Sequence, residues 1–211
     1  MKLLTLELSG IGPFAQRQYI DFERFTDSGL FLLRGSTGSG KTTLIDAIVF
    51  ALYGDVASGS EGAKNRLRSS YCGPNDPSFV TLVFEVSSGI YRVRRTPKYV
   101  KEGRSTPVNP TLILERVVRN SDDPSGFSTV EPLSRSIIDA QSMMTTFIGL
   151  TKDQFLQTVV LPQGQFARFL TAKSIEREEI LRDIFGTQFF QSLQDAFREQ
   201  AKEAHDSIVH A

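Results

Sequence analysis

The chain has 211 residues, with 24 basic and 24 acidic side chains and a formal net charge of zero. That length can bury the core of one domain, or of one domain with an extension, and no stretch approaches the roughly 20 consecutive apolar residues of a membrane span. A single cysteine, Cys72, excludes an internal disulfide, and His205 and His210 stand away from any cysteine or carboxylate constellation, so no metal site built from side chains alone is read.

The start MKLLTLELSG alternates polar and apolar residues instead of pairing a basic region with a long apolar run. It is therefore not a secretory signal, and a cytoplasmic address is expected. Lys2–Ser9 and Gln18–Phe22 alternate and Gly29–Leu33 is a short apolar run, which predicts three strands. Leu44, Ile45, Ile48, Val49 and Leu52 then recur at helical spacing, predicting a helix over Thr42–Tyr53 with Gly54 as its C-cap. Gly59–Pro77 collects glycine, serine, asparagine and proline and reads as a surface loop. Strands are predicted at Phe79–Val86, Tyr91–Arg95 and Thr111–Arg119, with a turn at Ser87–Gly89 and a long hairpin connection over Thr96–Pro110. Asn120–Phe127 reads as a loop.

Beyond Leu133 the pattern becomes helical: Ser134–Phe147, Lys152–Gln157, Phe166–Leu170 and Ser174–Phe185, ending at Gly186. From Thr187 to Ala211, Phe190, Leu193, Phe197, Ala201, Ala204 and Ile208 fall three or four apart, as at the start of a long amphipathic helix. The expected division is a lobe over 1–186 followed by that helix over 187–211. From Ser174 onward eight acidic residues face four basic ones, which argues against simple electrostatic contact with DNA and for contact with protein.

The chemistry-bearing segment is Gly35-Ser36-Thr37-Gly38-Ser39-Gly40-Lys41-Thr42, which fits G-x-x-x-x-G-K-[ST] between an apolar strand and a helix. The alternative is a chance glycine-rich turn, but the flanks are those the mechanism requires. Glycines let backbone N–H groups close round phosphate oxygens, and the following helix directs its positive end at the same anion. Lys41 is expected to reach the β and γ phosphates of ATP, and the Thr42 hydroxyl to ligate Mg²⁺. Thr43 completes the expected nucleotide-binding set.

The residues around this motif narrow the class. Gly35 to Ile48 followed by Ala51-Leu52-Tyr53-Gly54, the distant Val159-Val160-Leu161-Pro162-Gln163-Gly164-Gln165-Phe166, and the opening Gly12-Pro13-Phe14 to Phe22 together resemble the ATPase heads of the SbcC family. The order and separation of these segments fit along essentially the whole chain. The resemblance implies an α/β fold, namely the N-terminal lobe of an ABC-type P-loop head with a flanking antiparallel β layer and a helical portion running into a coiled coil. It also implies that Gln163, the first glutamine of a Q-loop, helps hold Mg²⁺ and the attacking water, a task that suits an amide because its oxygen can face a cation while its NH₂ donates. Taken alone, Gln163 would read as a polar residue in a Gly-Pro turn.

Two elements of the family's site are absent: the Asp-Glu pair ending an apolar strand and the LSGG-type signature. Thr81–Glu85 imitates the first but lacks the aspartate and belongs to an alternating strand. The resemblance therefore implies one half of a head, completed by a C-terminal half, a second head and the nuclease partner SbcD, acting on double-stranded DNA near the nucleoid. Between Tyr91 and Arg104, Arg92, Arg94, Arg95, Lys98, Lys101 and Arg104 stand against Glu102 alone, and Lys64 and Arg66 form a smaller cluster. Arg68 belongs to that smaller cluster as well, and such segments suit sequence-independent contact with DNA phosphates, or equally a solvated hairpin. The rival readings are a chromosome-organising ATPase of the SMC type and a stand-alone P-loop kinase.

Overall fold

The computed structural model describes residues 1–25, 32–57, 67–100, 106–158 and 197–200. The chain divides into two compact units, Met1–Gly149 and Leu150–Ala211. In the first, β1 (Lys2–Ser9), β2 (Gln18–Asp21), a 3-10 turn (Phe22–Phe25) and α1 (Lys41–Tyr53) precede β3 (Phe79–Val86) and β4 (Gly89–Thr96). The short pair β5 (Tyr99–Val100) and β6 (Pro107–Val108), then β7 (Thr111–Arg119), β8 (Phe127–Ser134) and α2 (Ile137–Ile148) complete it. In the second unit, α3 covers Lys152–Thr158 and residues 197–200 are helical, inside the stretch predicted as a long helix. Among the described residues no helix is long and apolar enough to cross a membrane.

Six strands form one antiparallel sheet in the order β2-β1-β3-β4-β7-β8. Side chains on a strand alternate between faces, so the register sorts the residues into rows. Leu6, Leu82, Val93 and Leu114 stand opposite one another across four strands, and all are buried. This row belongs to the inner face, on which α1 packs against β3 and β4 while α2 packs against β7, β8 and α1. The alternate residues form the other face, whose rows mix polar and apolar side chains: Thr5, Val83, Arg92 and Glu115, then Glu7, Thr81, Arg94 and Ile113, with Val83 in a small buried cluster with Leu4, Val117 and Phe127.

An antiparallel sheet is present as expected, and every ladder among the described residues is antiparallel. Three predictions shift. Of the predicted strand Gly29–Leu33 only Leu32 and Leu33 are described, and neither is paired into the sheet. Phe127–Ser134, of which Phe127 is read as loop, Ser134 as helix and the residues between as no element, is the edge strand β8, where Pro132 is tolerated because an edge need not donate on its outer side. The following helix accordingly begins later, at Ile137, with Ser136 accepting a capping bond from the Asp139 N–H at 3.4 Å. The predicted helices Phe166–Leu170 and Ser174–Phe185 and the boundary at 186 lie outside the described residues.

Candidate nucleotide site

The loop Gly35–Gly40 leads directly into α1, and its geometry follows from its glycines. Gly38 and Gly40 lie at φ +83° and +91°, in the left-handed region that disfavours side chains. A Cβ on Gly38 would meet nothing within 4 Å, so the loop is open there. At Gly40, by contrast, a Cβ would lie 2.5 Å from Phe14 Cζ and 3.1 Å from Pro13 Cγ. The Gly12–Phe14 turn after β1 thus seats the base of the loop, and Gly12 itself leaves room for Thr43, whose Cγ2 would lie 2.5 Å from a Cβ placed there. That turn is held in turn by Gly12 N–H donating to Leu67 O at 2.9 Å and by the Ile11 and Phe14 backbone pair.

Two features suit the loop to an anion. α1 begins at Gly40 without a side-chain cap, which leaves its first N–H groups for another acceptor. The Lys41 ammonium donates to Gly35 O and Ser36 O, both at 2.8 Å, so the cation is held across the loop by its own backbone. Thr42 is exposed at the same helix end. The predicted residues Gly35, Ser36, Thr37, Gly38, Ser39, Gly40, Lys41, Thr42 and Thr43 are therefore brought together at one uncapped helix terminus. The donor set is cationic and backbone N–H on one side and a hydroxyl on the other, which fits a polyphosphate with its divalent cation. Gln163 lies outside the described residues, as do Lys64 and Arg66.

The other end of α1 is closed. Gly54, at φ +69°, donates to Phe50 O at 2.8 Å and ends the helix as predicted. Asp46 Oδ1 accepts from the Ala57 N–H at 2.9 Å and pins the chain beyond Gly54; burial pushes its carboxyl above the usual range, opposed by that hydrogen bond.

β4 divides the predicted basic patch. Arg92 and Arg94 share the other face of the sheet, as alternation predicts, beside a cavity of about 230 Å³ lined by Thr5, Glu7, Thr81 and Glu115 among others. Arg92 is paired with Glu115 at 2.8 Å. Arg94 lies over the Phe79 ring at 3.6 Å and donates to Thr81 Oγ1 at 3.2 Å; burial draws its pKa down, with Glu7 opposing. Lys98 is exposed. Arg95 is a correction: it points inward and is 4% exposed, so its charge is not on the patch. Alternation contained this signal, because it groups Arg95 with Tyr91 and Val93.

A family model described as an AAA domain matches residues 5–209, and the chain belongs to that family. Over 208 residues, 99% of the chain, it is 35% identical to the SbcC component of the SbcCD nuclease of Staphylococcus aureus strain MRSA252. The same identity and coverage hold for that component from strains Newman and USA300 / TCH1516. The resemblance read from the motifs is thus borne out across the chain's length. The chain spans about a fifth of the length of these relatives, 20% in each case.

Proposed function

We propose that this chain is the ATP-binding part of an SbcC-type ATPase head that controls a partner nuclease on DNA. The observation that carries the reading is the glycine loop at the uncapped start of α1 with Lys41 held across it. In this reading Gly35–Thr43 hold the triphosphate, Lys41 reaches its β and γ phosphates, and Thr42 with Gln163 holds Mg²⁺. Mg²⁺ neutralises phosphate charge when bound. The chain's own part is to orient the phosphates by backbone N–H groups that need no reorganisation.

A C-terminal half of the same head supplies the missing acidic pair and signature, and a second head closes over the nucleotide. Residues 1–186 then form the lobe and 187–211 the first turns of a coiled coil, while DNA cleavage belongs to a partner of the SbcD type. Lys98, Arg94, Lys64 and Arg66 contribute weak, sequence-independent contacts to double-stranded DNA in the cytoplasm. The matched relatives are nuclease components by name, which favours this reading over a chromosome-organising clamp.

Phosphate release tests the proposal. The chain alone should turn over negligibly, because positioning without the opposing signature and catalytic acid leaves most of the barrier in place. Adding the C-terminal half should restore turnover. Lys41→Ala should abolish it and weaken ATP binding roughly 100-fold, the equivalent of about 3 kcal/mol for a lost charge-assisted contact. Lys41-dependent turnover by the chain alone would show a complete enzyme instead of a half.

A further inference from the structure

Consecutive arginines of β4 go to opposite faces, and the inward one stands in an otherwise apolar row, with Val80 and Leu112 opposite it and Leu8 opposite Val80. Arg95 is 4% exposed. Its Nε donates to Ala51 O at 2.8 Å, and its Nη2 to Leu52 O at 3.4 Å and to Gln141 Oε1 at 2.5 Å. Gln141 Nε2 donates to the same Leu52 O at 3.2 Å. Among the described residues no carboxylate pairs with Arg95, and burial draws its pKa down to about 10.

A buried cation without a counter-ion is costly, and an apolar side chain would fill the same space at less cost. What an apolar side chain lacks is direction. The carbonyls of Ala51 and Leu52 belong to the last turn of α1, where the helix offers them no partner and its dipole is negative. Arg95 and Gln141 satisfy them and tie the helix end to β4 and α2 together. Elsewhere α1 is held through Ala47, Ile48, Val49, Phe50, Ala51 and Leu52, whose buried apolar contacts permit small slides and rolls. Ala51 and Leu52 stand eleven and twelve residues beyond Gly40, so the clamp sits about 17 Å from the loop. At that distance neither Arg95 nor Gln141 can contact the loop. The clamp's influence must travel as the position of a rigid helix.

We propose that Arg95, with Gln141 as its second arm, is a positioning residue for the nucleotide loop: it fixes the axial setting of α1 and hence where Gly40, Lys41 and Thr42 present their donors. The inference rests on the reading of that loop as the nucleotide site. Neither residue touches the nucleotide.

The test uses the complete head with Arg95→Met, Arg95→Lys and Gln141→Leu, following binding of a non-hydrolysable ATP analogue by calorimetry together with kcat and KM. Misplacement of a binding group by a fraction of an ångström to 1 Å predicts roughly tenfold or greater losses in kcat/KM for Arg95→Met, with a smaller loss for Gln141→Leu. Arg95→Lys keeps a donor at the helix end and should recover part of the loss. Val93→Ala, a cavity on the same strand and face that leaves the carbonyl clamp intact, controls for loosening of the core; it should lower the melting temperature while holding nucleotide affinity within about twofold. Folded Arg95→Lys and Gln141→Leu heads with wild-type affinity and kcat/KM would overturn the proposal, as would a Val93→Ala loss equal to that of Arg95→Met. If Arg95→Met fails to fold, the other two variants decide. Lys41→Ala separates the failures: wild-type affinity in that variant sinks the site itself, whereas its loss beside unaffected Arg95 and Gln141 variants sinks only the clamp.

Discussion

The two ends of α1 are finished in opposite ways, although each is marked by a left-handed glycine. At the start, Gly40 carries no side-chain cap, the loop before it is exposed, and Lys41 reaches no further than the carbonyls of Gly35 and Ser36. At the finish, the carbonyls of Ala51 and Leu52 are taken up by a buried guanidinium and an amide from two other elements. A helix whose orphan N–H groups are left available while its orphan carbonyls are consumed is biased to receive an anion at one end and to be immobilised at the other. The asymmetry separates binding from anchoring: changes at the start should alter what the loop holds, and changes at the finish should alter where the loop stands.

The largest effect is expected at the base of the loop. Gly40→Ala must place a Cβ 2.5 Å from the Phe14 ring at φ +91°, so it combines left-handed strain of about 1–2 kcal/mol with overpacking of about 1–3 kcal/mol. Gly38→Ala meets nothing within 4 Å and should cost only the strain. Urea unfolding of the two variants compares them directly. Equal losses would mean that the Gly12–Phe14 turn does not support the loop, and the start of α1 would then be free at both its outer and inner sides.

A middle-sized effect is expected at Gly54. A Cβ there would lie 2.8 Å from Arg95 Nη1, and the guanidinium can swing aside more readily than a ring, at the expense of its bonds to the helix end. Gly54→Ala should therefore cost about 2 kcal/mol, the sum of left-handed strain and roughly one hydrogen bond. The pairing with Arg95 is visible as non-additivity: in an Arg95→Met background the clash disappears and the cost should fall towards the bare strain. Additive losses in the double variant would show that Gly54 and Arg95 do not share the helix end.

Much of this was legible before the structure. The motif from Gly35 to Thr42 and the helix behind it follow from local spacing, the alternation of β1 and β7 gave their extents, and β3 was legible as a strand although Phe79–Phe84 is buried on both faces. β8 was missed for a physical reason: an edge strand with four exposed residues in the middle carries little alternation, and Pro132 argues against a strand unless its edge position is known. The Gly12–Phe14 support of the loop was noticed only as a resemblance, since its cause is a contact about 30 residues away in sequence. Arg95 shows the limit most clearly. Charge counting placed it with Arg92 and Arg94, while period two placed it with Tyr91 and Val93, and the second was right because burial is decided by the face and not by the neighbour in sequence.

The smallest effect is expected midway along the helix, at Asp46. Burial disfavours its carboxylate, and the Ala57 N–H at 2.9 Å opposes this without cancelling it, so the carboxyl holds its proton to higher pH in the folded chain than in the unfolded one. The sign follows from proton binding. Where the folded state binds more protons, stability falls as pH rises, so Asp46 contributes most below its unfolded pKa, and that contribution is lost as pH climbs through the folded pKa. At neutral pH the charged group is therefore a small net burden on the fold. Asp46→Asn retains an Oδ1 acceptor for Ala57 and carries no charge. It should be equal to the wild type or more stable by up to about 0.5 kcal/mol at pH 7, the range of substitutions that break no network. As the wild-type carboxyl takes up its proton in acid, the difference should close. Urea unfolding at pH 7 and pH 4 reads both. A variant clearly less stable at pH 7 would mean that the charged acceptor strengthens the Ala57 bond by more than burial costs it; Asp46 would then join Arg95 among the groups that anchor the far half of α1.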